Sequence, residues 1–102
     1  MKYTYDDRFL TEFLRLSPRE RALFLAAVAE INATYAARGE RMLPVWPAHL
    51  RVRPMKGHAG IDEMTWSFVG PDGRVTFSIA EVRGEPMVAW RSIGSHAIYR
   101  DP

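Results

Sequence analysis

Hydrophobic and polar residues alternate along much of the second half of the chain. The alternation covers residues 61–69 and 74–82 and places apolar side chains at Met64, Trp66, Phe68, Val75, Phe77 and Ile79. Successive side chains of a β-strand point to opposite faces, so these two segments predict strands with one apolar and one polar face. We expect the apolar face to be covered and the polar face to be open to solvent.

The first half of the chain shows helical spacing instead. Apolar residues three and four apart predict a helix over residues 6–16. A second helix is predicted from Pro18 to Gly39, because Ser17 can cap its first turn and Glu20 can complete a capping box. Its core positions are Phe24, Val28, Ile31 and Tyr35.

Three more short strands complete the predicted architecture. Residues 2–5 and 50–53 alternate weakly, and residues 87–93 follow a turn at Arg83–Pro86. The resulting order is one strand, two helices and four strands. We therefore expect a single α+β domain over residues 1–102, with two N-terminal helices packed on a small antiparallel β-sheet.

Composition narrows the environment and the ligands. Of the 14 basic residues 12 are arginines, which suit phosphate and nucleic acid, although a GC-rich, arginine-favouring genome explains the bias equally well. The absence of cysteine excludes disulfides and thiolate metal sites. The longest apolar run, Ala22–Ala29, is too short to span a membrane, and the first residues lack a signal-peptide pattern. We expect a soluble, cytoplasmic protein without a cofactor.

Four segments resemble the RelE/ParE superfamily of bacterial toxins. They are residues 5–16, residues 55–67 with Lys56-Gly57, residues 72–77 (Asp-Gly-Arg-Val-Thr-Phe), and residues 90–100, which pass through a glycine and a histidine to a tyrosine. The resemblance implies a RelE-like fold and a toxin that is neutralised by a partner antitoxin.

The resemblance also implies two alternative activities. RelE-like members cleave mRNA on the ribosome without a metal, by attack of the ribose 2′-OH on the adjacent phosphate. ParE-like members act on DNA gyrase, and a catalytically decayed homologue acting as a binding module is a further possibility. A shared fold does not choose between these activities.

Cleavage of this kind needs a base, cationic stabilisation of the phosphorane and help for the leaving oxygen. Arg74 matches the family's most regular arginine and is the candidate for stabilisation; its alternative role is a solvated hairpin charge. His96 is a candidate base or acid and Tyr99 a candidate for stacking on a base, although each also fits an ordinary structural position.

Glu63 is the remaining catalytic candidate, and it marks a departure from the family. RelE-type ribonucleases carry lysines on this strand, where the chain has Glu63, Thr65 and Ser67. If Val69 pairs with Arg74, Glu63 lies on the order of 20 Å from that arginine. A solvated carboxylate or an arginine partner is then its expected role.

A basic rim is the last predicted feature. Arg51, Arg53, Lys56 and Arg91 are candidates for contacts with RNA backbone, with Arg51 and Arg53 on one strand face. A metal site is rejected, because the three histidines have no ligand spacing.

Overall fold

The computed structural model describes residues 1–67, 72–95 and 102. The elements follow the predicted order: β1 (Lys2–Tyr5), α1 (Asp7–Arg15), α2 (Pro18–Ala36), β2 (Arg53–Pro54), β3 (Asp62–Ser67), β4 (Gly73–Val82) and β5 (Glu85–Gly94). The five strands form one sheet in the order β1-β5-β4-β3-β2. The α+β class predicted from the sequence is confirmed.

One strand departs from the expected antiparallel arrangement. β1 pairs with β5 in parallel, with Tyr5 opposite Trp90, whereas the other three pairings are antiparallel. Parallel neighbours need a long connection that crosses over the sheet. The two helices begin directly after β1 and form the first part of that connection.

Both helices begin within one residue of their predicted starts. Asp6 caps α1, and its carboxylate accepts the Phe9 N–H at 2.9 Å. Ser17 and Glu20 form the predicted capping box, in which each side chain accepts the other residue's backbone N–H. α2 ends at Ala36, three residues before Gly39.

An aromatic cluster joins the helices to the sheet. The Trp90 ring centroid lies 5.3 Å from that of Phe24 and 5.4 Å from that of Phe77, both in edge-on contacts. Phe9 of α1 stacks on the same indole. The buried apolar residues are Phe9, Phe24, Ala27, Ile31, Leu50, Met64, Trp66, Val75, Phe77, Val88, Trp90 and Ile93.

The strand predicted over residues 50–53 is wrong. Residues 48–50 form a 3₁₀ turn, and Arg51 follows it in the left-handed region at φ 51° with its N–H bonded to Ala48. Strand β2 begins only at Arg53. Arg51 and Arg53 therefore do not share a strand face, because Arg51 belongs to the turn.

Candidate functional site

The polar face of the sheet is centred on strands β3 and β4. In this register Thr65 pairs with Arg74 and Glu63 pairs with Thr76. These four side chains lie on the face opposite Met64 and Val75, because neighbouring residues of a strand alternate. The four therefore form one polar cluster, which we call the Arg74 cluster.

The predicted separation of Glu63 from Arg74 is wrong. Arg74 pairs with Thr65, so Glu63 lies only two residues along β3 from that partner, about 7 Å. The error has two parts: the described pairing begins at Ser67–Gly73 and not at Val69–Arg74, and the register then shifts by one further residue at Trp66. Glu63 is consequently a neighbour of Arg74 on the same face.

Gly73 and Trp66 fix the start of β4. A β carbon built on Gly73 would lie 2.6 Å from two carbons of the Trp66 ring, too close for any real contact. The glycine therefore allows the indole to pack over the strand at the residue before Arg74.

The guanidinium of Arg74 is held from two sides. Its Nη1 donates to the hydroxyl of Thr65, and its Nη2 donates to Asp72 Oδ2 at 3.1 Å, where the two charges form an ion pair. Only 8% of the side chain is exposed. Such a geometry fixes the plane of the guanidinium and its direction on the sheet.

Two donors of the Arg74 cluster have no hydrogen-bond partner in the described part of the chain. They are the buried Nε of Arg74 and the hydroxyl of Thr76, which follow each other on the same face of β4. Leaving a buried donor unpaired costs roughly 1–3 kcal/mol. Native structures rarely leave buried donors without a partner. Both donors here could be satisfied by an oxygen atom of a bound ligand.

The expectation of an open polar face is wrong for this cluster. Arg74 is 6% exposed, Glu63 8%, and Thr65 and Thr76 are fully buried. Alternation along a strand shows that its two faces differ in polarity, but it does not show which face the rest of the chain covers. Arg74 is therefore no solvated hairpin charge.

Glu63 forms an ion pair with its strand partner. Arg53 Nε donates to Glu63 Oε1 at 2.5 Å, and the Glu63 side chain is 10% exposed against 61% for Arg53. The predicted arginine partner is confirmed. The pair presents a carboxylate beside the Arg74 cluster and a guanidinium at the adjoining surface.

The residues of the predicted basic rim are spread across the sheet. Arg53 lies on β2 and Arg91 on β5, with two strands between them, so they are roughly 14 Å apart across the sheet. Arg91 also donates to the backbone oxygen of Pro102 at 3.4 Å from two of its nitrogens. Lys56 is exposed in the turn before β3.

Two predicted site residues lie outside the described residues. His96 and Tyr99 fall within positions 96–101, so their expected proximity to Arg74 stays a prediction. Among residues 1–67 and 72–95, no group of three or more acidic or histidine side chains is placed to hold a metal ion. No helix of this described part is long and apolar enough to cross a membrane.

A cleft at the end of the sheet was not predicted. It has a volume of about 440 Å³ and lies between the α1–α2 junction and the ends of β3, β4 and β5. Its wall includes Arg15, Arg19, Asp72 and Ser95. The available sequence signal was a pair of arginines on either side of the Ser17–Pro18 helix junction. We call it the junction cleft.

Several solved structures of toxins share this architecture. E. coli toxin RelE, as a mutant in the free state, aligns with a TM-score of 0.61 at 16% identity, covering 98% of this chain and 90% of that chain. The YoeB/ParE toxin from Agrobacterium tumefaciens gives 0.62 at 15%, covering 94% and 99%. The toxin–antitoxin complex RelB–RelE of Methanococcus jannaschii gives 0.60 at 12%, covering 95% and 94%.

The chain therefore shares the fold of these RelE and YoeB/ParE toxins, which is the RelE-like fold that the sequence resemblance implied. No protein-family model matches the sequence, and no curated protein matches it significantly. At these identities the likeness establishes the architecture, and the activity has to be argued from the side chains.

Proposed function

We propose that this chain is the toxin of a toxin–antitoxin pair and that it cleaves mRNA on the ribosome. The observation that carries the proposal is the Arg74 cluster, in which an oriented guanidinium and a neighbouring hydroxyl retain unpaired buried donors. The shared fold of RelE and YoeB/ParE toxins supports the same assignment.

In the proposed reaction, Arg74 stabilises the negative charge that develops on the scissile phosphate. When RNA binding uncovers this buried cluster, the Nε of Arg74 and the Thr76 hydroxyl donate to phosphate oxygens, while Thr65 and Asp72 keep the guanidinium in place. Burial strengthens these interactions, because the effective dielectric constant around the cluster is lower than in water. The 2′-OH attacks the phosphate and needs a base to accept its proton.

The base is proposed to be Glu63, with His96 as the alternative. Glu63 lies on the face of the Arg74 cluster, whereas the strand carries no lysine for this step. A carboxylate takes a proton from the attacking hydroxyl, and Arg53 stabilises its charge before the reaction.

Expression of the chain alone tests this proposal. Wild type should arrest growth and leave cuts in ribosome-bound mRNA, which primer extension detects. Arg74→Ala should lower cleavage by roughly 10²- to 10³-fold, the usual effect of removing one transition-state donor. Arg74→Lys should fail similarly, because lysine keeps the charge but not the planar fork.

The matched control is Arg83→Ala, which removes an exposed arginine from the β4–β5 turn. Circular dichroism and thermal melts must show that the Arg74 variants fold. Undiminished cleavage by folded Arg74→Lys and Arg74→Ala chains would refute the role of Arg74.

A ParE-like inhibitor of DNA gyrase is the second candidate function. It is favoured by one observation: Arg74 is mostly buried and bonded to Thr65 and Asp72, as a purely structural arginine would be. Induction would then cause a DNA-damage response with intact mRNA.

An antitoxin partner is also proposed. A groove of about 250 Å³ lies beside β1, and several exposed apolar side chains surround it, including Tyr3, Tyr5 and Leu25. Exposed apolar surface of this kind marks protein interfaces. The product of a small neighbouring reading frame should co-purify with the chain, and Leu25→Asp should weaken the complex more than Val82→Asp, which alters an exposed apolar residue elsewhere.

A further inference from the structure

The α1–α2 junction presents two arginines at fixed positions. Arg15 lies in the last turn of α1 and Arg19 in the first turn of α2, and both line the junction cleft. Arg21 holds the junction by donating to the backbone oxygens of Leu14 at 3.3 Å and Leu16 at 2.7 Å. The capping box fixes the next turn, so both arginines project from a rigid support.

Neither arginine has an ion-pair or hydrogen-bond partner within the described residues, whereas the carboxylates of the cleft are engaged. Glu20 accepts the Ser17 N–H at 2.9 Å, and this bond lowers the pKa of its carboxyl group. Asp72 accepts from Arg74. The charges left without a counterpart in the cleft are therefore the positive charges of Arg15 and Arg19.

The rest of the cleft wall suits a nucleotide. Leu16 and Leu23 provide apolar surface for a base or ribose, while Ser67 and Ser95 provide hydroxyl groups. The volume of about 440 Å³ falls within the rough range of 300–1,000 Å³ that is typical of ligand sites. Asp72 lines the cleft and also binds Arg74, so the cleft adjoins the Arg74 cluster.

We infer that the junction cleft binds single-stranded RNA next to the scissile phosphate, with Arg15 and Arg19 contacting backbone phosphates. The inference rests on the proposed function, because it extends the RNA path from the Arg74 cluster. Guanidinium groups bind phosphate oxygens through paired hydrogen bonds, and such contacts position a strand without reading its sequence. This surface differs from the basic rim predicted from the sequence.

Fluorescence anisotropy with the purified full chain tests the inference. The probe is a fluorescein-labelled 2′-O-methyl RNA dodecamer of mixed sequence, which has no 2′-OH for cleavage. Arg15→Gln/Arg19→Gln should weaken binding roughly 10-fold or more for every sequence. The slope of log K against log salt should fall by about 1.4, since each single-strand phosphate contact contributes about 0.7.

The matched control is Arg41→Gln/Arg83→Gln, which removes the same charge from two exposed positions outside the cleft. Equal losses in both double variants would overturn the inference, because they would report net charge alone. Absence of RNA binding by the wild type would overturn it as well. Capture of a glutamate-rich peptide through the two arginines, without RNA binding, would assign the cleft to a protein partner instead.

The inference and the proposed function fail in different ways. If Arg15→Gln/Arg19→Gln binds RNA as wild type does and cleavage still depends on Arg74, RNA binding by the junction cleft is refuted and the nuclease proposal stands. If RNA binding depends on Arg15 and Arg19 but the chain leaves mRNA intact, RNA binding by the cleft is supported and the nuclease proposal is refuted.

Discussion

Glu63 and Arg74 share one face of the sheet and are separated by a single step along β3, because Thr65 is the strand partner of Arg74. Under the proposed function, the carboxylate and the guanidinium act on the same phosphodiester. This relationship makes Glu63 the residue whose substitution is most informative about the chemistry.

Glu63→Gln should lower mRNA cleavage at least ~10²-fold, because the amide cannot accept the proton of the 2′-OH. The substitution also breaks the ion pair with Arg53. Arg53→Gln breaks the same pair and keeps the carboxylate, so it is the matched control. Primer extension on ribosome-bound mRNA measures both variants. Equal activity of the two would show that Glu63 serves only as the arginine's partner.

Gly73→Ala should destabilise the fold by roughly 1–3 kcal/mol, the usual cost of overpacking a core. The new methyl group would meet the Trp66 ring at 2.6 Å. Urea unfolding measures the loss. In a Trp66→Leu background the cost of Gly73→Ala should shrink, because the ring is gone. An unchanged cost there would mean that the backbone, and not the indole, requires glycine.

Ser17→Ala should lower the free energy of unfolding by about 1 kcal/mol, whereas Ser17→Gly should cost only a few tenths. The hydroxyl of Ser17 accepts the Glu20 N–H at 3.1 Å and begins α2. Thermal or urea denaturation at neutral pH distinguishes the two variants. Equal stability of Ser17→Ala and wild type would show that the Ser17 hydroxyl does not stabilise the start of α2.

Glu20→Gln should destabilise the chain at neutral pH but not in acid. Hydrogen bonds from Ser17 lower the pKa of Glu20 from its ordinary value of 4.5. Because the pKa of Glu20 is lower in the folded state, its ionised carboxylate stabilises the fold above pH 4.5. This stabilisation is lost as the pH falls through the folded-state pKa. Unfolding curves of both proteins between pH 7 and about 3 should therefore converge at the acid end. A constant difference across this range would contradict the assignment.

Asp62→Asn should stabilise the chain slightly at neutral pH. Burial raises the pKa of the Asp62 carboxyl above 3.8, so the folded state disfavours the ionised form. The penalty is absent in strong acid and develops as the pH rises through the raised pKa. Because Asp62 is only half-buried and solvent screens its charge, the gain should be roughly 0.5 kcal/mol or less. Greater stability of wild type at pH 7 would contradict the burial argument.

Local sequence signals predicted both helices and the β4–β5 hairpin. Two examples are the capping box of Ser17 and Glu20 and the turn at Arg83–Gly84. Each depends on a few neighbouring residues, so it can be recognised directly in the sequence. Residue spacing alone therefore located both helices and the long hairpin.

The pairing of β3 with β4 was not predictable in the same way. The extra residue at Trp66 interrupts the register between Thr65 and Ser67, but it leaves the alternation of the sequence intact. The burial of Arg74 and the cleft that Arg15 and Arg19 line depend on tertiary packing, which residue spacing does not encode. The sequence therefore pointed to individual candidate residues such as Arg74 and Glu63. It predicted neither their relative positions nor the junction cleft with Arg15 and Arg19.

The parallel pairing of β1 with β5 has a consequence for folding during translation. Among the described strands β1 pairs with β5 alone, and the two are far apart in sequence, since Lys2 lies opposite Met87 and Tyr5 opposite Trp90. During translation the sheet cannot close until Trp90 has left the ribosome, and contacts so distant in sequence form slowly. Until β5 emerges, β1 therefore lacks its strand partner among the described strands, and the five-stranded sheet stays incomplete.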